Sequence, residues 1–228
     1  MTYFLSLDGP PDIHNFIRGH KRSFQLAIEG IDALLGLSQP PGISIFCVIT
    51  EWNIGHLITF CDLFKHFPIK RLGFMHMNFT PQHISDYHNE IYGNLYPATD
   101  SNVQEIDIDK MDLNLLWSEI ESINKTNFPF PVSFSPNVQS REKLDIYYKT
   151  PEKYFGKRCN DIFKNIMVKS DGTIIPAHGR CYNLTVGNIY EHDLKAIWNA
   201  QTITHFRRTV SKAGGLFPAC SRCCSAFG

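Results

Sequence analysis

The sequence predicts an α/β protein in which parallel strands interleaved with helices are followed by a smaller, cysteine-rich α+β part. Three observations predict it. Short apolar runs alternate with amphipathic stretches over most of the chain, the rhythm of successive βα units. Further on, an Asp171-Gly172 pair separates two β-rich runs, which marks a hairpin. Cys220, Cys223 and Cys224 then crowd into a polar tail that has no core to bury three thiols.

The first strand is "TYFLSLDG", stopped at Gly9, and the following "PPDIHNFIRGHKR" reads as loop because two prolines punctuate it. A helix starts at Ser23, places Phe24, Ala27, Ile28, Ile31, Leu34 and Leu35 on one face, and ends at Gly36 ahead of Pro40 and Pro41. "GISIFCVIT" is a near-continuous apolar run, as expected of a strand covered on both faces. Leu57, Phe60, Cys61, Phe64 and Phe67 form the next helical stripe.

"RLGFMHMNFT" is the third strand, with Met75, Met77 and Phe79 on one face and Phe74, His76 and Asn78 on the other. A covering helix takes the first set, so His76 and Asn78 are expected on an open side near the strand's carboxyl end. Such folds place their ligands there, and these two residues are candidates for facing substrate. Residues 82–94 read as helix, 95–111 as loop, and "LNLLWSEIESINKT" as helix. The proline-interrupted "NFPFPVSFSPN" is a soft boundary, which divides the chain into domains at 1–135 and 136–228. The second domain holds the hairpin "NIMVKSDGTIIPA", a helix with Leu194, Ile197, Trp198 and Ile203 as its apolar positions, and the cysteine tail.

Composition excludes several partners. Lysine plus arginine equals aspartate plus glutamate at 22 each, so the net charge suggests neither nucleic acid nor an anionic membrane. No apolar segment approaches 18 residues and the amino terminus lacks a leader pattern, so a cytoplasmic protein is expected. In a reducing compartment seven cysteines point to metal rather than to disulfides. Cys47, inside an apolar strand, and Cys61, on an apolar stripe, read as core.

The remaining thiols have the spacing of a metal site. Cys220 and Cys223 form a C-x-x-C pair, which supplies half of a tetrahedral or cluster site around one tight turn. Cys159 precedes the hairpin and Cys181 follows it, so a ribbon that folds back brings these two together. The expected ligands are Cys159, Cys181, Cys220 and Cys223, with Cys224 a neighbour because adjacent side chains diverge. Thiolates serve zinc and iron–sulfur clusters alike.

From "SLDGPPDIHNFIRG" through "VITEWN", "DGTIIPA", "GNIYEHDLKAIWN" and "PACSRCC", the chain resembles radical S-adenosylmethionine enzymes that carry a C-terminal SPASM domain or its Twitch variant. The resemblance implies a partial βα barrel, made of the last three βα units, followed by a SPASM-like iron–sulfur domain. It implies an auxiliary four-iron four-sulfur cluster and, in the complete enzyme, S-adenosylmethionine as cofactor. It implies an oxidoreductase acting on a peptide or small molecule. Carried over by position, Ser6 contacts the cofactor's ribose or methionine part and Arg18 its carboxylate, a charge-assisted contact.

Two departures qualify this. The C-x-x-x-C-x-x-C loop that holds the radical-generating cluster in the family is not in the sequence, so the chain is expected to be a fragment or one half of a split enzyme completed by another chain. Ala177 stands where the family has a cysteine after the hairpin proline. Cys181 is the expected substitute, with His178 an alternative because imidazole can replace thiolate at a cluster iron. Outside the family, the alternative function is a non-catalytic module in which the four cysteines hold structural zinc.

Overall fold

The computed structural model describes residues 1–103, 106–177, 181 and 184–227. The chain divides into two compact units, 1–77 with 106–145 and 78–105 with 146–228. The sequence-based division at 135 follows chain order, whereas by compactness residues 78–105 group with the cysteine-rich unit.

The first unit is built on four parallel strands, β1 (Thr2–Ser6), β2 (Gly42–Ile49), β3 (Arg71–His76) and β4 (Val132–Ser135), lying side by side in that order. Parallel neighbours require crossovers. The helices α1 (Pro11–Ile17), α2 (Ser23–Leu35), α3 (Leu57–Leu63) and α5 (Leu113–Lys125) lie in these connections, and α4 (Gln82–Tyr92), also between β3 and β4, belongs to the second unit. Strands that advance in one direction make part of a βα barrel, as expected.

Ile43, Ile45, Cys47 and Ile49 alternate along β2 and are fully buried, while Phe46 and Val48 on its other face are half-buried. Of the expected stripe Leu57, Phe60, Cys61 and Phe64 are buried and Phe67 is half-buried, with the Phe60 ring 5.3 Å from Phe64 and 6.3 Å from Phe74. The amino end of α3 is capped from a distance. The buried carboxylate of Glu119 accepts hydrogen bonds from the backbone N–H groups of Gly55 and Leu57, both at 2.7 Å, and so satisfies donors that a helix start leaves orphaned.

Two elements of this unit were not legible in the sequence. The segment read as loop after Gly9 contains α1, which starts at a proline whose fixed φ suits the first helical position. The proline-interrupted stretch read as a boundary contains β4, so the sheet has a fourth strand beyond the three expected. Pro131 and Pro136 flank β4 without interrupting it, which is where a strand tolerates them.

The second unit contains a three-stranded antiparallel sheet of β5 (Ile166–Val168), β6 (Thr173–Pro176) and β7 (Gly187–Asn188). The hairpin turns where expected. Gly172 adopts φ +80, and a Cβ there would meet the Tyr190 ring at 2.5 Å, so only glycine fits. The single helix expected next is two, α7 (Leu194–Asn199) and α8 (Gln201–Lys212), broken at the extended backbone of Ala200. Of its expected apolar positions Ile197 and Ile203 are buried and Leu194 is 55% exposed. A further helix, α6 (Arg141–Lys149), spans the division between the units. Among the described residues no helix is long and apolar enough to cross a membrane.

Candidate metal centre

The second unit assembles the thiols from three short segments. Cys159 is fixed by its backbone, which donates to the carbonyl of Gly215 at 3.0 Å. Gly215 adopts φ +98, and a Cβ there would stand 2.7 Å from that of Arg158. The chain after α8 can therefore pass close beside Cys159 only with glycine at 215. Cys220 closes a 3₁₀ turn, Pro218–Cys220, and the N–H of Cys223 donates to the carbonyl of Cys220 at 3.1 Å. This bond shapes the C-x-x-C turn. The carbonyl of Cys181 accepts from the N–H of Leu184 at 3.1 Å.

These four cysteines line one cavity of about 70 Å³, together with His88, Tyr96, Phe206 and Phe217. Cys224 does not line it. Ala177, with φ +52, packs against the same apolar cluster as Cys159 and Cys220 but does not reach the cavity wall. His178 lies outside the described residues.

None of the seven cysteines is in a disulfide. Among the described residues no three His, Cys, Asp or Glu side chains converge closely enough to hold a single metal ion. The cavity is several times the roughly 10–15 Å³ that one water needs. Thiolate donors around such a space fit a polynuclear iron–sulfur group better than a lone zinc, whose four sulfurs would close on it at about 2.3 Å. Burial raises the pKa of the Cys159 thiol, while backbone N–H groups of Ile162 and Asp161 bond the sulfur and pull the other way. Metal binding would remove that proton.

Arg222, between the paired cysteines, went unnoticed in the sequence. It is fully buried, and an arginine in a short polar tail carries no sequence signal for that.

In the first unit, Ser6 and Arg18 meet at the carboxyl end of β1, where Arg18 Nη2 donates to Ser6 Oγ at 2.9 Å. Arg18 Nε is also 2.6 Å from Asp8 Oδ2, so Asp8 belongs to this cluster although its sequence position gave no sign of it. Its backbone N–H donates to His14 Nδ1 at 3.0 Å. Burial alone would raise the pKa of Asp8, but its hydrogen bond with His14 and the charge of Arg18 prevail and lower it.

His76 is the last residue of β3 and is 2% exposed. Its face is therefore not the open side expected, and burial depresses its pKa to about 3, so its ring is neutral at physiological pH. Asn78 lies beyond the strand, its carbonyl accepting from Asn102 Nδ2 at 2.7 Å. The structure places His76 and Asn78 in different units.

The SPASM family, described as an iron–sulfur cluster-binding domain, matches residues 159–224, the span that holds all four cavity cysteines. Among solved structures, a histidine-tagged anSMEcpe with bound AdoMet is similar over 90% of this chain and 50% of its own, with 20% identity and a TM-score of 0.50. Streptococcus suis SuiB is similar over 97% of this chain and 49% of its own, with 16% identity and a TM-score of 0.52. The chain thus spans about half the length of these solved structures. No curated protein matches its sequence. The likeness to these structures is one of fold, and the match to the iron–sulfur cluster-binding family is confined to residues 159–224.

Proposed function

We propose that Cys159, Cys181, Cys220 and Cys223 hold an auxiliary four-iron four-sulfur cluster, and that the chain serves a radical S-adenosylmethionine oxidoreductase acting on a peptide or small molecule. The observation that carries this reading is the single cavity lined by those four thiols within the matched domain. The cluster would supply one-electron chemistry. The chain's own residues supply thiolates from three segments, backbone N–H donors to the Cys159 sulfur, and an apolar wall of Tyr96, Phe206 and Phe217. In the first unit, Ser6 and Arg18, braced by Asp8, form the polar group at the strand end that would receive the cofactor's ribose and carboxylate.

Anaerobic reconstitution tests the reading. A brown protein with visible charge-transfer absorption and about four iron and four sulfide per chain supports it. A colourless protein holding one tight zinc overturns it in favour of a structural module.

A further inference from the structure

Two adjoining grooves on the second unit, of about 530 and 400 Å³, share Phe163 and Ser211 in their walls. Lys157, Arg158 and Lys164 line the first, and Arg207, Arg208 and Lys212 line the second. No aspartate or glutamate lines either. Asp161, which falls in the same stretch, is turned to Ser225, whose hydroxyl donates to it at 2.6 Å. The first unit treats its cations differently. There Arg18, Arg22, Lys65, Lys110 and Arg141 each pair with a carboxylate, whereas among the described residues none of the six groove cations does. A helix C-terminus attracts cations, which accounts for Arg208 and Lys212 near the end of α8. It does not account for Lys157, Arg158 and Lys164, which come from a separate segment. Six unpaired like charges set up a positive field that draws an anionic partner.

Two features suit this surface to docking. Phe163 is 49% exposed in the wall that both grooves share. Arg207 is already held, its Nε donating to the carbonyl of Ile162 at 2.7 Å and its Nη1 to that of Trp198 at 3.0 Å, with the guanidinium carbon 4.0 Å from the centre of the Trp198 ring. A partner that meets Arg207 therefore orders little, and an aromatic beside a fixed arginine is how interface hot spots are built. The first groove has Cys159 in its wall, and Cys159 also lines the thiol cavity. The basic surface and the metal centre are thus two sides of one residue.

We infer that this basic surface docks a small acidic protein that exchanges one electron with the cluster behind Cys159. This rests on the cluster reading above. One electron passes between the carrier's iron–sulfur or flavin centre and the cluster, the donor being oxidised and the acceptor reduced, with no bond broken and no proton moved. An acidic peptide or a nucleic acid has the charge, but only a redox partner gains from a cluster behind the groove wall. Encounters of this kind bury little surface and depend on complementary charge.

Plant-type ferredoxin, an acidic carrier with one [2Fe–2S] centre, is the probe. Lys164→Glu, Arg208→Glu and Lys212→Glu together reverse the patch, while Lys21→Glu, Lys125→Glu and Lys195→Glu make the same change in net charge at positions outside it. All six sites are exposed, so both variants should fold. Binding of labelled ferredoxin to the metal-free chains is followed by fluorescence anisotropy over a salt series, and electron exchange with the reconstituted chains by stopped-flow absorbance. Reversing the patch should weaken binding and slow exchange about tenfold at low salt, the scattered reversal should change both less than about twofold, and salt should weaken wild-type binding steeply. Equal effects in the two variants, wild-type binding indifferent to salt, or ferredoxin binding lost from the patch variant without any change in exchange rate overturns the inference. So does a polyglutamate peptide or an oligonucleotide that binds the patch when ferredoxin does not. A wild-type chain that takes up no cluster defeats the cluster reading instead, and ferredoxin binding is still read on the metal-free protein.

Discussion

The two compact units use cysteine in opposite ways. In the first, Cys47 and Cys61 are fully buried, and burial pushes both thiols up, that of Cys61 to about 12. They act as small apolar side chains. In the second, Cys159, Cys181 and Cys220 are half-buried and, with Cys223, border a cavity shared with aromatic residues. The difference is not in the thiols but in what faces them: the buried amide of Asn53, 3.6 Å from the Cys47 sulfur, in one case, a cavity in the other. A cysteine can serve as a ligand only where the backbone leaves room for something to be bound.

The sharpest way to break this comparison is to delete one thiol of each kind. Serine at Cys220 or Cys223 should abolish most cluster iron after reconstitution, measured per chain, whereas Cys47→Ala should leave iron content unchanged and lower stability only. Iron lost equally from both kinds would erase the distinction. Next in size, Gly172→Ala should destabilise the cysteine-rich unit by about 1–3 kcal/mol, because alanine must enter a left-handed conformation against the Tyr190 ring. Denaturant unfolding reads this loss.

Glu119→Ala should cost the first unit about 1–3 kcal/mol by orphaning the N–H groups of Gly55 and Leu57, with cluster loading untouched. Iron loss in this variant would show that the units do not separate as described.

Acid should act on the first unit through Asp8. Its pKa is lower in the folded protein than unfolded, so its contribution is fully present above the unfolded value, near 3.8, and is lost as pH falls through the folded value. Asp8→Asn should flatten the fall in stability on that acid side, as melting across a pH series would record. The smallest effect is expected for Cys224→Ser. Cys224 lies outside the cavity wall, and its replacement should leave iron per chain within error of wild type.

Much of the fold was legible because it rests on local signals. The near-continuous apolar run of β2, the stripe of α3 and the Asp171-Gly172 turn each read directly from neighbouring residues, and each appears where expected. β4 escaped because prolines that flank a strand look in sequence like prolines that break one. The break at Ala200 escaped because alanine carries no signal for an extended backbone. His76 was placed on an open face by alternation alone, and packing from elsewhere in the chain buried it.

By itself the sequence determined which cysteines could be ligands, since spacing limits how a C-x-x-C turn closes and where a hairpin returns the chain. It also determined the parallel α/β rhythm, because side-chain periodicity is a local property of the backbone. Only the tertiary structure decided that Cys181, and not Cys224, reaches the cavity, that Asp8 braces Arg18, and that Arg222 is buried against the end of α6. Those outcomes depend on segments distant in sequence meeting in space, and no local pattern encodes the void, the counter-charge or the carbonyls that a side chain will find there.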